Sequence, residues 1–255
     1  MNSVPQFFIK DSDIDDNRAV IKGDECHHLI NVRRIRAGDV LDIRTDSGRR
    51  FKAEIIRISH SEILLNLPEE IQQEEIQTDH KIIDITLYMS LLKAGNFEFV
   101  IQKTVEVGVN KIIPVYTSRT IPELDKKSDK KNIKKIEEKH NRWNKIALSA
   151  AKQCLRNNIP AVEHPLDFSD AIKVHNNSIK LIAHPGSALE LKKFFISNNR
   201  PESVSILIGP EGGFTNSELD SASEHGWHTV NFGHTNLRAE TAAVIIPALI
   251  IYHWG

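Results

Sequence analysis

Three stretches of the chain end an apolar run on glycine and proline, where a ligand could meet bare backbone. Ile206-Leu-Ile-Gly-Pro-Glu-Gly-Gly-Phe214 stops at Gly209-Pro210 and continues through Gly212 and Gly213. Leu181-Ile-Ala-His184-Pro185-Gly186 stops the same way. Trp227-His-Thr-Val-Asn-Phe232 runs into Gly233 and Asn236, then Leu237-Arg238-Ala-Glu240-Thr241 opens an apolar terminal helix. Strand, glycine-rich turn and helix together bring free N–H groups to a ligand. A phosphate loop would need Gly-Lys-Ser/Thr after the glycines, and Phe214 stands there. The dinucleotide pattern G-x-G-x-x-G is not matched, and Pro210 would disrupt its turn. The first and last stretches lie close in sequence and read as two walls of one pocket, or else as plain strand–helix connections. His184 is either structural or a ligand contact. Arg238 and Glu240 are two apart and would not face each other on a regular helix. Either one reaches the pocket, or both serve helix-start electrostatics.

Two further groups invite chemistry. His27-His28 suggests metal, but neighbours on a helix diverge by ~100°, and no cysteine or carboxylate cluster accompanies them, so no metal is expected. Arg33, Arg34 and Arg36 fall where that helix ends. They read as dipole complement or as phosphate contacts, and Arg44, Arg49, Arg50 and Lys52 in the same region favour the second reading.

The elements that must position these residues fall into two sets. Residues 1 to about 67 read as short strands (7–9, 19–21, 40–43, 51–58, 63–67) with one helix near 25–32, Asp24 being its N-cap. That is the pattern of a small barrel. From 61 to 79 there are six acids and no Lys or Arg, and the Gln-rich part of this run, after Pro68, reads as a domain linker. From 81 the period changes. Strands at 82–88, 111–115, 179–183, 204–208 and 227–232 alternate with helices at 96–107, 129–155 and 188–197, one opened by the capping box Thr215-Asn-Ser-Glu218, and a terminal one. This implies a mostly parallel sheet covered on both faces, with ligands at the carboxyl ends of its strands. A formal net charge of -1 excludes a globally basic nucleic-acid binder but not a local basic face. Two distant cysteines argue against a disulfide framework or a structural zinc site and fit a reducing cytoplasm. The start of the sequence does not have the form of a secretory signal, and no window is apolar enough to span a membrane.

These residues together resemble the RsmE family, the 16S ribosomal RNA uridine N3-methyltransferases of the SPOUT class. The match is collinear over nearly the whole chain. It rests on His28-Leu-x-x-Val32-x-Arg34 and Gly38; on Phe99-x-Ile101-Gln102-Lys103-x-x-Glu106-x-Gly108-Val109, Pro114 and Arg119; on Arg142-Trp143, Gln153-Cys154, Arg156 and Pro160; and on His184-Pro185, Ile208-Gly-Pro-Glu-Gly-Gly213 and Leu237-Arg238-x-Glu240-Thr241. The resemblance implies an α/β fold, a SPOUT trefoil-knotted, mostly parallel sheet domain at 81–255. A linker at 71–80 and a PUA-like small β-barrel domain for RNA at 1–70 would precede it. It implies S-adenosylmethionine bound by His184, Pro185, Gly186, Ile208, Gly209, Pro210, Gly212, Gly213, Phe232, Gly233, Asn236 and Leu237. It implies catalysis by Arg238 and Glu240, and RNA contacts from Arg33, Arg34, Arg36, Lys93 and Arg119. The implied partners are 16S ribosomal RNA or the small ribosomal subunit, and a second copy of the chain that completes each site. The implied setting is cytoplasmic, with no membrane and no metal. The family usually carries L-G-x-R-(I/V)-L-R-T-E-T at the last turn. Here Thr235 replaces the arginine, Asn236 the branched apolar residue and Ala239 a threonine, which removes a positive charge beside the cofactor or substrate. The alternatives are a non-catalytic RNA-binding or assembly factor that keeps the fold, and the same chemistry on another RNA.

Overall fold

The computed structural model describes residues 6–45, 49–68, 70–71, 83–93, 95–120, 130–173, 179–233 and 235–255. The chain forms two compact units, Met1–Asp79 with Lys152–Ile159, and His80–Ala151 with Pro160–Gly255.

In the first unit the strands are β1 (Gln6–Ile9), β2 (Ile14–Asp15), β3 (Arg18–Lys22), β4 (Val40–Thr45), β5 (Arg50–Ile58) and β6 (Glu62–Asn66). They form one sheet in the order β1-β4-β5-β6-β3-β2. Only β1 and β4 run parallel. No pairing among the described residues closes β1 onto β2, so the unit is a half-barrel. Alternation along β5 turns Phe51, Ala53 and Ile55 inward. A register shift between Ile55 and Arg57 lets the strand bend. The helix between β3 and β4 is α1 (Gly23–His28), continued by a π-helical turn at Leu29–Arg33. It starts at Gly23, so Asp24 lies inside it and is not its N-cap, contrary to the sequence reading. Gly23 has φ +68, a value that favours glycine, and so sets the entry into the helix.

The second unit holds β7 (Asp84–Ser90), α2 (Asn96–Val107), β8 (Lys111–Tyr116), α3 (Lys130–Gln153), β9 (Ala161–Val162), β10 (Leu166–Asp167), α4 (Phe168–Ala171), β11 (Ile179–Ala183), α5 (Leu191–Ser197), β12 (Ser203–Ile208), α6 (Asn216–Glu224), β13 (His228–Val230) and α7 (Ala239–Trp254). The sheet order is β10-β8-β7-β12-β11-β13, with β9 also on β8. All these pairs are parallel. Its central strands read as near-continuous apolar runs because both faces are covered. On one face Ile85, Leu87, Met89 and Ile206 pack with residues of α2, α3 and α7. On the other, Tyr88, Ile113, Ile182 and Leu207 pack with Phe168, Phe214, Ala222 and Trp227.

Two departures from expectation have local causes. Helix α5 begins at Leu191 and not at 188, because Glu190 bridges Asn231 and Leu191 donates its N–H to the Asn231 carbonyl. Strands β9 and β10 were not foreseen, each being too short for a readable period. They are two rungs on the same side of β8, at Lys111–Ile112 and Val115–Tyr116. Ile112 faces that side, since its carbonyl accepts from Glu163 N–H, and Val115 faces β7, since its carbonyl accepts from Leu91. By alternation Pro114 faces the β9–β10 side, where it has no N–H to offer. The break at 163–165 falls opposite it. Among the described residues no helix is long and apolar enough to cross a membrane.

Candidate active site

Parallel strands place their carboxyl ends on one edge, and β11 and β12 each lead from that edge into the turns singled out by sequence. A cavity of about 480 Å³ opens there. His184 and Pro185 line it beyond β11, and Ile208, Gly209, Pro210 and Gly213 beyond β12. Phe232, Asn236 and Leu237, followed by Arg238 and Glu240 at the start of α7, form the opposite wall. Arg238 occupies the N-cap position of α7 in extended conformation, and its side chain is exposed, whereas Glu240 is half-buried.

Three of the expected cofactor residues support the walls without lining them. A Cβ on Gly186 would come within 2.8 Å of His184 Nε2, so the absence of a side chain there lets the imidazole sit where it does. A Cβ on Gly212 would press on the Arg119 side chain at 3.3 Å. Gly233, at φ +92, donates its N–H to the Asn231 side-chain oxygen at 2.8 Å and borders a different hollow, of about 420 Å³, with Phe195, Leu249 and Tyr252.

Sequence reasoning missed several lining residues, Asn96, Ala183, Phe214, Ala239, Ala242 and Ile246, whereas Glu211 and Thr235 lie in the loops it singled out. Ala242 and Ile246 are four apart on α7, so the helical period carried their signal. Nothing in the sequence pointed to Asn96, which starts α2.

The glycine loop is held from behind. Gly213 donates to the Pro210 carbonyl at 2.9 Å, closing a turn in which Gly213 has φ +68. Phe214 is buried, and a Cβ on Gly209 would meet its ring at 3.0–3.2 Å. Arg119 donates from Nη1 to the Gly212 carbonyl at 2.7 Å, so its guanidinium sits on the loop. Lys93 donates its backbone N–H to the Glu211 carboxylate at 3.3 Å and leaves its side chain exposed. Glu218, only 7% exposed, accepts from the N–H of Thr215 and the N–H of Ser118, both at 2.8 Å. Burial pushes its carboxyl up, but the hydrogen bonds from Thr215 and Ser118 outweigh this and hold it below the usual carboxylate range. The expected capping box at Thr215 is present, and it also ties the 117–120 turn to the loop.

The cavity fits S-adenosylmethionine in kind. Its volume is in the range of small-molecule sites, and apolar walls (Ile208, Phe232, Leu237, Ile246) alternate with backbone at two strand ends. That mixture suits a flat heterocycle with polar edges.

In the first unit Arg33, Arg34 and Arg36 are exposed, and Arg34 is held at φ +52. The wider basic face read from the sequence contracts on inspection. Asp42 accepts from Arg50 Nε at 3.0 Å and pairs with Lys52 at 3.7 Å. Arg49 pairs with Asp11 and Glu70 at 3.2 and 3.0 Å. Arg44 is buried, which lowers its pKa, with Arg50 nearby adding to the effect. Three of these cations face acids of the same unit and the fourth is buried, leaving the trio after α1 as the phosphate-facing candidates. His27 is exposed and belongs to no group of metal-ligating side chains among the described residues; His28's side chain lies outside them. Neither cysteine forms a disulfide, and burial, then Glu62, raises the Cys26 thiol.

Comparison with known proteins follows the same division. The profile of the RNA methyltransferase domain matches residues 78–251, and that of the RNA methyltransferase PUA domain matches 21–67. A ribosomal RNA small subunit methyltransferase E of Buchnera aphidicola is 33% identical over 95% of this chain and 90% of its own. The Bacillus subtilis protein of the same name is 31% identical over 91% and 89%. The Neisseria gonorrhoeae protein of that name, solved with S-adenosylmethionine, superposes with a TM-score of 0.83 at 25% identity over 99% of each chain. A Legionella pneumophila methyltransferase in complex with the same cofactor gives 0.83 and 25% over 97% of each.

Proposed function

The chain belongs to the family of ribosomal RNA small subunit methyltransferase E proteins, and we propose that it uses S-adenosylmethionine to methylate N3 of a uridine in 16S ribosomal RNA. The observation that carries this reading is the cavity at the ends of β11 and β12, walled by glycine-bared backbone and capped by Arg238 and Glu240. When bound, S-adenosylmethionine supplies an electrophilic methyl group on a sulfonium sulfur. The chain has three tasks around it. It must admit a base splayed from its stack, hold N3 in line with the methyl group, and manage the N3 proton and the charge on the uracil oxygens. Arg238, exposed on the cavity rim, suits the oxygens or a neighbouring phosphate. Glu240, half-buried beside it, suits the proton or the orientation of Arg238. Phe232, Leu237 and Ile246 exclude water from that side. Arg33, Arg34 and Arg36 hold the RNA backbone, and Lys93 adds a charge near the loop.

We infer two further features. Sheet order takes the chain from β12 to β13 on the far side of β11, and α7 then returns to pack on β7, β12 and α2, which supports threading of the last segment into a trefoil knot. Tyr252 of α7, 88% exposed, lines the apolar hollow with Phe195 and Leu249, and Ile245, seven residues earlier on the helix, is 39% exposed, which supports a homodimer through that face. A ribosomal substrate supports a cytoplasmic setting.

The test is to incubate the protein and S-adenosylmethionine with small ribosomal subunits from a strain lacking the corresponding gene, then to digest the RNA to nucleosides. N3-methyluridine should appear. Arg238→Ala should lower its rate of formation at least tenfold, which corresponds to about 1.4 kcal/mol. A methylated nucleoside of another kind, or none, would overturn the assignment to uridine N3.

A further inference from the structure

We propose a site for a divalent metal ion of the zinc class, built from Glu137, His140 and His164, away from the cavity and clipping α3 to the broken border at β9–β10. One donor atom from each of the three side chains lies within 4.8 Å of the other two. Glu137 and His140 are three apart on α3, and so lie on the same helix face. Glu-x-x-His is a spacing by which helices hold metals. His164 comes from the 163–165 break opposite Pro114, which turns the chain out of the sheet where the ladder would otherwise continue.

The Nε2 of His140 lies 2.7 Å from the Val162 carbonyl oxygen and 3.1 Å from Asn144 Nδ2. The tautomer that donates from Nε2 to the carbonyl leaves a lone pair on Nδ1 for an ion. Asn144 braces the same segment. It receives the Val162 N–H on Oδ1 at 3.3 Å and donates from Nδ2 to the same carbonyl at 3.1 Å. A ligand imidazole pinned through its second nitrogen to a carbonyl is the usual outer support of a metal site. Tyr116 lines a hollow of about 340 Å³ with Glu137 and His164, and its hydroxyl is buried without a hydrogen-bond partner among the described residues.

In the structure the rings of His140 and His164 stack, with centroids 3.8 Å apart and planes at 27°. Lone pairs in two nearly parallel planes do not converge on one ion, so binding requires His164 to leave the stack. It is free to do so: the side chains of His164 and Glu137 are 54% and 53% exposed. A tetrahedral ion would draw the donors to about 3.3 Å from one another. His₂Glu with one open position is a zinc ligand set.

The full-length protein is titrated with zinc sulfate against a chelating dye, and with cobalt(II) by absorption. One zinc per chain is expected, together with the intense visible bands of tetrahedral cobalt. His164→Ala, and separately Glu137→Gln, should each weaken zinc binding at least tenfold and abolish the cobalt bands. Ring-proton resonances of His140 and His164 should shift on adding zinc, as the stack opens. Zinc should raise the melting temperature of the parent protein but not of His164→Ala. Equal zinc affinity in parent and His164→Ala, or cobalt bands that remain weak and octahedral in the parent, would overturn the proposal. Both substitutions lie on exposed side chains, so the variants retain the fold against which they are read.

Discussion

Replacing Glu218 by glutamine tests the idea that one buried carboxylate holds the glycine loop beside the cavity. Its two oxygens accept two backbone N–H groups, at Ser118 and Thr215, and the Thr215 hydroxyl at 3.1 Å. Glutamine keeps the shape but turns one oxygen into an NH₂ group, which then faces a backbone N–H. One buried donor loses its partner, costing about 1–3 kcal/mol, and the remaining bond loses its charge assistance. A total near 2–3 kcal/mol, spread over an unfolding entropy of about 2.1 cal/mol/K per residue for 255 residues, lowers the melting temperature by about 4–6 °C. All three tryptophans, Trp143, Trp227 and Trp254, lie in the second unit, so their fluorescence reports on the right part of the molecule. The dependence on pH has a definite sign. The carboxyl is held below its ordinary value of about 4.3, so its stabilisation is fully present above that value and is lost as pH falls through the lower, folded one. The gap between the parent protein and Glu218→Gln should therefore be widest at pH 7 and should narrow below about pH 4. The variant should also bind S-adenosylmethionine several-fold more weakly by calorimetry. A gap of the same size at pH 7 and in acid, or none at pH 7, would refute the reasoning.

Gly209→Ala puts a methyl group 3.0–3.2 Å from the Phe214 ring, which is itself buried and cannot swing away. S-adenosylmethionine affinity should fall at least tenfold by calorimetry, while the circular dichroism spectrum stays that of the parent. Changing Arg33, Arg34 and Arg36 together to alanine should weaken RNA binding and flatten the slope of log K against log salt by about 2–3, since each neutralised phosphate contributes about 0.7–0.9. An unchanged slope would place the RNA backbone elsewhere.

The elements most readable from sequence were those with a long, clean period. Helix α2 at 96–107 and strand β11 at 179–183 fall where the pattern placed them, because each packs one continuous apolar stripe or run. The Thr215–Glu218 capping box was equally plain, its partners being three residues apart. What stayed hidden was set by distant partners. The second task of Glu218, holding Ser118, spans 100 residues, and no local pattern encodes it. The basic face of the first unit was overread for the same reason. Arg49, Arg50 and Lys52 find acids across the sheet or far along the chain, and a charge count along the sequence cannot register such pairs. The approach of His164 to α3 depended on where a ladder breaks, which becomes visible only once β8 has its neighbours.

Pro114 also shapes how molecules of this protein meet. Because it and Pro165 across the rung both lack an N–H, the outer margin of the parallel sheet is two dipeptide rungs, β9 and β10, with a gap between them. A strand from another molecule would find no straight run of free backbone there to zip onto, which is how natural sheets avoid edge-to-edge growth. Substituting valine at 114 alone would leave Pro165 across the rung, with no N–H to return to the 114 carbonyl, so 161–167 would stay broken. Two imino acids, one on each side of the rung, guard this margin against strands of crowded copies of this enzyme.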